Sequence, residues 1–258
     1  MSFIHSSQQN GVAIIKLNRA DKFHSFVRAM ALELQAELDK ASKDGVIRCI
    51  LITAEGKAFC AGQDLSEAMD PSGPGIEKIV EEHYNGIIKR IRGIEKPIVC
   101  AVNGVAAGAG ANIALACDIV LAGHSASFIQ AFSKIGLIPD SGGTFMLPRL
   151  VGMQRAAALM FTGEKVNAQE AEKMGMIYKA VEDEKLMEEA MKLCFTLAQM
   201  PTVGIGLTKR LLNMSAVNDM NAQLAAEGKV QVEAAKSADH KEGVRAFLEK
   251  RAPVFTGK

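Results

Sequence analysis

The chain predicts a layered α/β domain that gives way to a helical tail, and three observations carry that expectation. Strand-like apolar runs alternate with helix-period apolar stripes up to about residue 180. Two of the strand-like runs end in turns made of glycine, alanine and other small residues. From about Asn167 the pattern is helical, with no strand-like run after residues 177–181. At 258 residues, 48% of them hydrophobic, the chain can bury one substantial core.

Residues 11–17 read as a first strand, and Val27, Met30, Leu34, Leu38 and Ala41 then recur at helical spacing. Residues 48–53 form a buried strand. Residues 70–75, Asp-Pro-Ser-Gly-Pro-Gly, predict a loop. Ile76, Ile79, Val80, His83, Ile87 and Ile91 then form one apolar helical stripe, on which His83 is read as a packing histidine. Strands follow at 97–102 and 118–122, separated by a short helix at 113–117, and a further helix-like run covers 145–150. In the tail Leu186, Ala190, Leu193 and Leu197 share a face. A Met- and Ala-rich helical tail packs on the core or on another copy, so an oligomer is expected.

Lys and Arg number 30 against 29 Asp and Glu, a net charge of +1. No overall field would recruit nucleic acid or an anionic membrane, so neither is expected as a partner. Residues 1–10 have neither a basic nor an apolar leader pattern, and no apolar run approaches the ~18 residues of a membrane span, so a cytoplasmic location is the default expectation. The five cysteines, Cys49, Cys60, Cys100, Cys117 and Cys194, are scattered without a C-x-x-C pair and read as reduced, buried thiols. No histidine spacing suits a metal, and none is expected.

Three segments can carry chemistry. Residues 103–112, Asn-Gly-Val-Ala-Ala-Gly-Ala-Gly-Ala-Asn, follow a strand and open a helix, where exposed backbone N–H groups favour an anion. The spacing of Gly104, Gly108 and Gly110 is not the dinucleotide pattern, because Ile113 stands where the third glycine belongs, and no G-K-[ST] follows. Close helix packing is the plainer reading of such glycines. A second small-residue turn, 58–65, includes Ala61, Gly62, Gln63, Asp64 and Leu65. Two strand ends bearing exposed N–H groups can converge on one oxygen as an oxyanion hole. The third segment, residues 136–144, sets Asp140 between Pro139 and a Gly-Gly pair. Here the plainer reading is helix capping, a role Ser141 could fill, leaving Asp140 free.

Taken together, A-F-C-A-G-Q-D-L, A-V-N-G-V-A-A-G-A-G and K-I-G-L-I-P-D-S-G-G-T resemble the crotonase superfamily of enoyl-CoA hydratases and isomerases in order and spacing, including the closing residues 243–251. The resemblance implies a ββα spiral core over residues 1–195 and a C-terminal helical trimerisation region over 196–258. It further implies an acyl-CoA thioester as substrate, no separate cofactor, and a homotrimer or dimer of trimers. It makes the N–H groups of Ala61 and Ala109 the oxyanion hole, with Gly62, Gln63, Asp64, Leu65, Asn112 and Phe132 around the substrate. Asp64 is expected to fix the loop and helix start. Lys22 and Lys57, with Phe247 and Lys250 from a neighbouring copy, are the implied CoA contacts.

Hydratases of the family carry glutamates at the positions of Asn112 and Phe132, and an amide and a phenyl ring cannot titrate. The resemblance therefore points to an isomerase in which Asp140 is the catalytic carboxylate, moving a proton or rearranging a ring epoxide through a thioester enolate. Phe132, Ile138, Phe145 and Met146 are the expected apolar walls around it. Two alternatives stay open: hydration, thioester hydrolysis or dehalogenation in the same superfamily, and a non-catalytic homologue that binds acyl-CoA or RNA.

Overall fold

The computed structural model describes residues 2–258. It opens on an antiparallel hairpin of β1 (Ile4–Gln9) and β2 (Val12–Leu17). Asn10 and Gly11 join them at φ of +48° and +78°, the two left-handed residues that a tight hairpin turn requires. Helix α1 (Arg28–Lys43) then crosses to β3 (Cys49–Ala54), which pairs in parallel with β2.

Three repeats follow, each a longer strand, a short strand and a helical segment. The first is β3, β4 (Ala58–Cys60), and the helices α2 (Leu65–Ala68), α3 (Gly75–Lys78) and α4 (Asn85–Gly93), with a π-helical turn, Ile79–Tyr84, between the last two. The second is β5 (Ile98–Val102), β6 (Val105–Ala107) and α5 (Ala109–Ala116). The third is β7 (Ile119–Gly123), β8 (Ser127–Ile129), α6 (Gly143–Val151) and α7 (Met153–Thr162). After β9 (Lys165–Asn167), α8 (Ala168–Lys173) and β10 (Lys179–Val181), the chain is helical.

The long strands make one six-stranded sheet, ordered β1-β2-β3-β5-β7-β10, and the short ones a second, ordered β4-β6-β8-β9. This is the expected ββα spiral with a helical C-terminal region. The central strands β3 and β5 are buried on both faces and read as near-continuous apolar runs, whereas the edge strand β1 is largely exposed. Alternate residues of β3 serve different layers: Cys49 and Leu51 face α9 (Leu186–Gln199), whereas Ile50 and Ile52 join the larger core with α1, α4 and α5. All five cysteines are buried and free. Helix α9 continues to Gln199, past the expected boundary between residues 195 and 196.

Helices α10 (Thr202–Ser215), α11 (Met220–Ala234) and α12 (Ala238–Leu248) complete the chain. A largely buried charge cluster, with Lys209 at its centre, fastens α10 to the sheet. Asp118 accepts from the Ile98 N–H at 2.8 Å and pairs with Lys209 at 2.7 Å and Arg92 at 3.0 Å. Lys209 is 5% exposed and also donates to the Ile91 carbonyl at 2.7 Å. Burial pulls the Lys209 ammonium below the usual lysine range, and Asp118 partly offsets that. No single helix among the described residues is long and apolar enough to cross a membrane.

Asp118→Ala would leave the Lys209 charge buried without its partner, so urea unfolding should report a loss of about 3–5 kcal/mol. A loss below about 1 kcal/mol would mean that the neighbouring carbonyls alone satisfy Lys209.

Candidate active site

The turn after β4 is fastened to the loop that precedes α1. The Ala61 N–H donates to the Phe23 carbonyl at 2.9 Å, the Phe26 N–H to the Gly62 carbonyl at 2.7 Å, and the Asp64 N–H to the Phe26 carbonyl at 2.9 Å. Phe26 thus forms a parallel bridge with Gln63. In such a bridge the two residues flanking Gln63 bond to Phe26, and the N–H of Gln63 itself points to the opposite side. Among the described residues that N–H has no protein acceptor.

The turn after β6 supplies a second free donor. Gly108, at φ +54°, reverses the chain into α5, and Ala109 is the first residue of that helix. First-turn N–H groups have no acceptor within the helix and carry its positive dipole end. The two turns touch backbone to backbone. A Cβ at Gly110 would lie 2.4 Å from the Cys60 carbonyl oxygen, and one at Gly62 would lie 3.0 Å from the Ala107 oxygen and 3.5 Å from the Ala109 nitrogen. Only glycine allows this approach.

Both turns open on a cavity of about 210 Å³. Its walls include Leu65, Ala68, Ile76, Ile79, Val80, Phe132 and Leu137, with Gly62, Gln63, Ala109 and Asp140 at the polar end. Asp140 is the one carboxylate in that lining. Burial raises its carboxyl above the ordinary range, and a 2.8 Å bond donated by the Ser141 hydroxyl partly counters the rise. Ser141 is buried, at φ +52°. Tyr84 also lines the cavity, but its O–H donates to Gln63 Oε1 at 2.8 Å and burial holds its pKa well above the usual phenol value. The other end of the Gln63 amide donates to Glu67 at 3.1 Å, so the side chain is held from two sides.

Several expectations need correction. The Ala61 N–H is consumed by Phe23, so Ala61 lines the cavity but cannot donate to a ligand there; the inward donor of this turn is Gln63. Asn112 is outside the lining: 2% exposed, it lies beneath the Asp140 loop and donates to the Asp140 backbone carbonyl at 2.9 Å. Asp64 is also outside. It caps α2 by accepting from the Ser66 N–H at 2.9 Å and pairs with Arg19 at 2.7 Å, the loop-fixing role expected of it. Burial works against the Asp64 charge, but those bonds outweigh it and keep the carboxyl below its ordinary value. Ser141 does not cap α6, whose cap position is Gly142. Ile138 is 78% exposed, and Phe145 lies outside the cavity with the Arg149 guanidinium 3.6 Å over its ring. Met146 is likewise not in the lining.

The implied CoA contacts lie outside the cavity. Lys22 and Lys57 are exposed, Lys22 beside the Phe23 whose carbonyl holds Ala61. Phe247, in the last turn of α12, and Lys250, just beyond that helix, are exposed, and Phe247 lines a separate groove of about 470 Å³. His83 is buried with its imidazole pKa lowered by desolvation, in keeping with a packing role. No cluster of three or more potential metal-ligating side chains occurs among the described residues.

The sequence does not reveal the roles of two residues here. Its motif marks Gln63 only as a neighbour of the substrate. Tyr84 was missed because the π-helical turn puts it five residues after Ile79 on the same wall, a spacing that a 3.6-residue count does not register.

Two backbone N–H groups without a protein acceptor among the described residues thus stand in the turns at an apolar cavity that has one carboxylate, raised by burial, in its lining. The chain belongs to the enoyl-CoA hydratase/isomerase family, which it matches over residues 7–258. It is 47% identical to 1,2-epoxyphenylacetyl-CoA isomerase of Escherichia coli K12, with all of both chains covered. Its identity to the trans-2-decenoyl-[acyl-carrier-protein] isomerase of Streptococcus mutans is 37%, over 96% of each chain. The crystal structure of enoyl-CoA hydratase from Bacillus anthracis superposes with a TM-score of 0.92 at 30% identity over 100% of each chain. The protein is thus an acyl-CoA enzyme of the crotonase family, whose isomerases and hydratases act without a separate cofactor.

Ser141→Ala removes a bond that favours the ionised carboxylate. A carbon-13 NMR titration of the Asp140 carboxyl should therefore move to higher pH in that variant. An unchanged titration would mean that the hydroxyl does not stabilise the charge.

Proposed function

We propose that this protein is an acyl-CoA isomerase in which Asp140 moves the proton and the N–H groups of Gln63 and Ala109 hold the thioester oxygen. The observation that carries this reading is the lone carboxylate in a cavity with two inward backbone donors. Asp140 removes a proton from C2 of a 3-enoyl thioester, giving a dienolate whose oxygen accepts from both amides. The same carboxyl then returns the proton at C4, leaving the 2-enoyl thioester. Oxyanion donors of this kind contribute about 2.7–4 kcal/mol each to the barrier. A carboxyl raised by burial is closer in proton affinity to the carbon acid it must deprotonate.

The same parts suit the ring-opening rearrangement of a 1,2-epoxyphenylacetyl thioester to its oxepin, the substrate class suggested by the Escherichia coli relative. In this reading the exposed Lys22 and Lys57 meet CoA phosphates, with Phe247 and Lys250 contributed by a neighbouring copy in a trimer. Water addition is the competing reading, since hydratases are among the relatives. It requires groups that position and deprotonate water, and the cavity offers one carboxylate, with Phe132 packed over Gly108 where a second would be needed.

Asp140→Asn should lower isomerase kcat by ~10²-fold or more while acyl-CoA binding persists. Because the folded-state pKa is raised, ionising Asp140 costs stability as pH rises through that value, so the amide variant should hold or raise Tm at neutral pH. Turnover close to the parent's would overturn the assignment. Hydration of a 2-enoyl-CoA matching the isomerisation rate in the parent would favour the competing reading.

A further inference from the structure

Buried polar side chains outside the cavity mostly end on structural partners: Lys209 on Asp118, Asp239 on the N–H groups of Thr256 and Gly257, and His24 on the Glu55 carbonyl. One chain of them ends instead on the reactive loop. Gln130 Nε2 donates to Asn112 Oδ1 at 2.8 Å, and Asn112 Nδ2 donates to the Asp140 carbonyl at 2.9 Å. Gln130 and Asn112 are 4% and 2% exposed.

The direction of this chain is forced. A backbone carbonyl can only accept, so Asn112 must present its NH₂ to Asp140, and its oxygen must then accept from the Gln130 NH₂. Gln130 Oε1 is left buried without a partner. An unpaired buried amide oxygen is costly, which argues that the donor end of Gln130 serves something beyond filling space. The Asp140 carbonyl also accepts from the Gly143 N–H at 2.9 Å, and a Cβ at Gly143 would fall 2.4 Å from Asn112 Nδ2. The loop therefore rests directly on the Asn112 amide. Asn112 in turn stands one helical turn after Ala109 in α5, so the helix that begins with an oxyanion donor also supports the carboxylate.

We propose that Gln130 and Asn112 are positioning residues: Gln130 orients the Asn112 amide, and Asn112 fixes the Asp140 peptide so that its carboxylate stays aimed into the apolar cavity. The proposal rests on the reading of Asp140 as the proton carrier. It assigns a task to the position where hydratases of the family keep a glutamate: the amide there holds the base, and does not itself exchange a proton.

A double-mutant cycle tests it on a 3-enoyl-CoA substrate. Asn112→Ala should lower kcat on the order of ten- to a hundredfold with KM changed less than about threefold, as expected for a misplaced catalytic group. Gln130→Leu should cost less, several-fold by the same reasoning, and the double variant should match Asn112→Ala, because Gln130 acts only through Asn112. A carbon-13 titration of the Asp140 carboxyl, assigned by difference against Asp140→Asn, should move toward the ordinary carboxylate range in both single variants as water reaches the loosened loop. That readout does not depend on turnover, and Asn112→Ser substitutes if the alanine variant does not fold. Parent-like kcat and Asp140 titration in Gln130→Leu, or multiplicative losses in the double variant, would overturn the relay. Full activity in Asp140→Asn would overturn the reading beneath it, which distinguishes the two failures.

Discussion

Helix α5 begins with its backbone pressed against the end of β4, and the rest of the site depends on that contact. With Gly110 against the Cys60 carbonyl and Gly62 against Ala107, two turns that are far apart in the chain come close enough to share one ligand atom. Parallel pairing of β4 with β6 sets their relative height, and the bridge between Phe26 and Gln63 sets which amide of the first turn faces inward. Any side chain at Gly110 would part the two turns. As proposed oxyanion donors, these backbone groups are already oriented by the fold and need no reorganisation as charge develops on the ligand.

The electrostatics of the cavity follow from the same layout. Apart from Asp140 its lining offers no charged group, so the field there comes from two N–H dipoles and the positive end of α5. In such surroundings a carboxylate is costly and its proton affinity rises. The Ser141 hydroxyl limits that rise by bonding to the ionised form. Arg19 and Asp64, the nearest strong ion pair in the turn, neutralise one another while they fasten the loop.

Much of this was legible in the residues themselves. The alternation of apolar runs gave the α/β layers, and the small-residue turns marked where backbone could meet ligand. Asp140 stood out as a carboxylate between a proline and two glycines. Ala61 and Gln63 could not be told apart, because the choice depends on pairing with Phe26, some way upstream in the chain. Strand β1 is polar and lacks an apolar run, although Asn10-Gly11 is a strong hairpin signal. The motif position of Asn112 suggests a residue facing the substrate and does not reveal that the Asp140 loop folds over it. Tyr84 was hidden by a π-helical turn that sequence periodicity does not anticipate.

On the proposed mechanism a single carboxylate in an apolar cavity carries one proton between two carbons of a thioester. Conversion of a 3-enoyl-CoA in deuterium oxide, with the isotope at C4 of the product read by mass spectrometry after less than one equivalent of turnover, tests it most directly. Transfer by Asp140 alone predicts that part of the product retains protium carried from C2 to C4. Deuterium at C4 in every product molecule, unchanged in Asp140→Asn, would contradict the account.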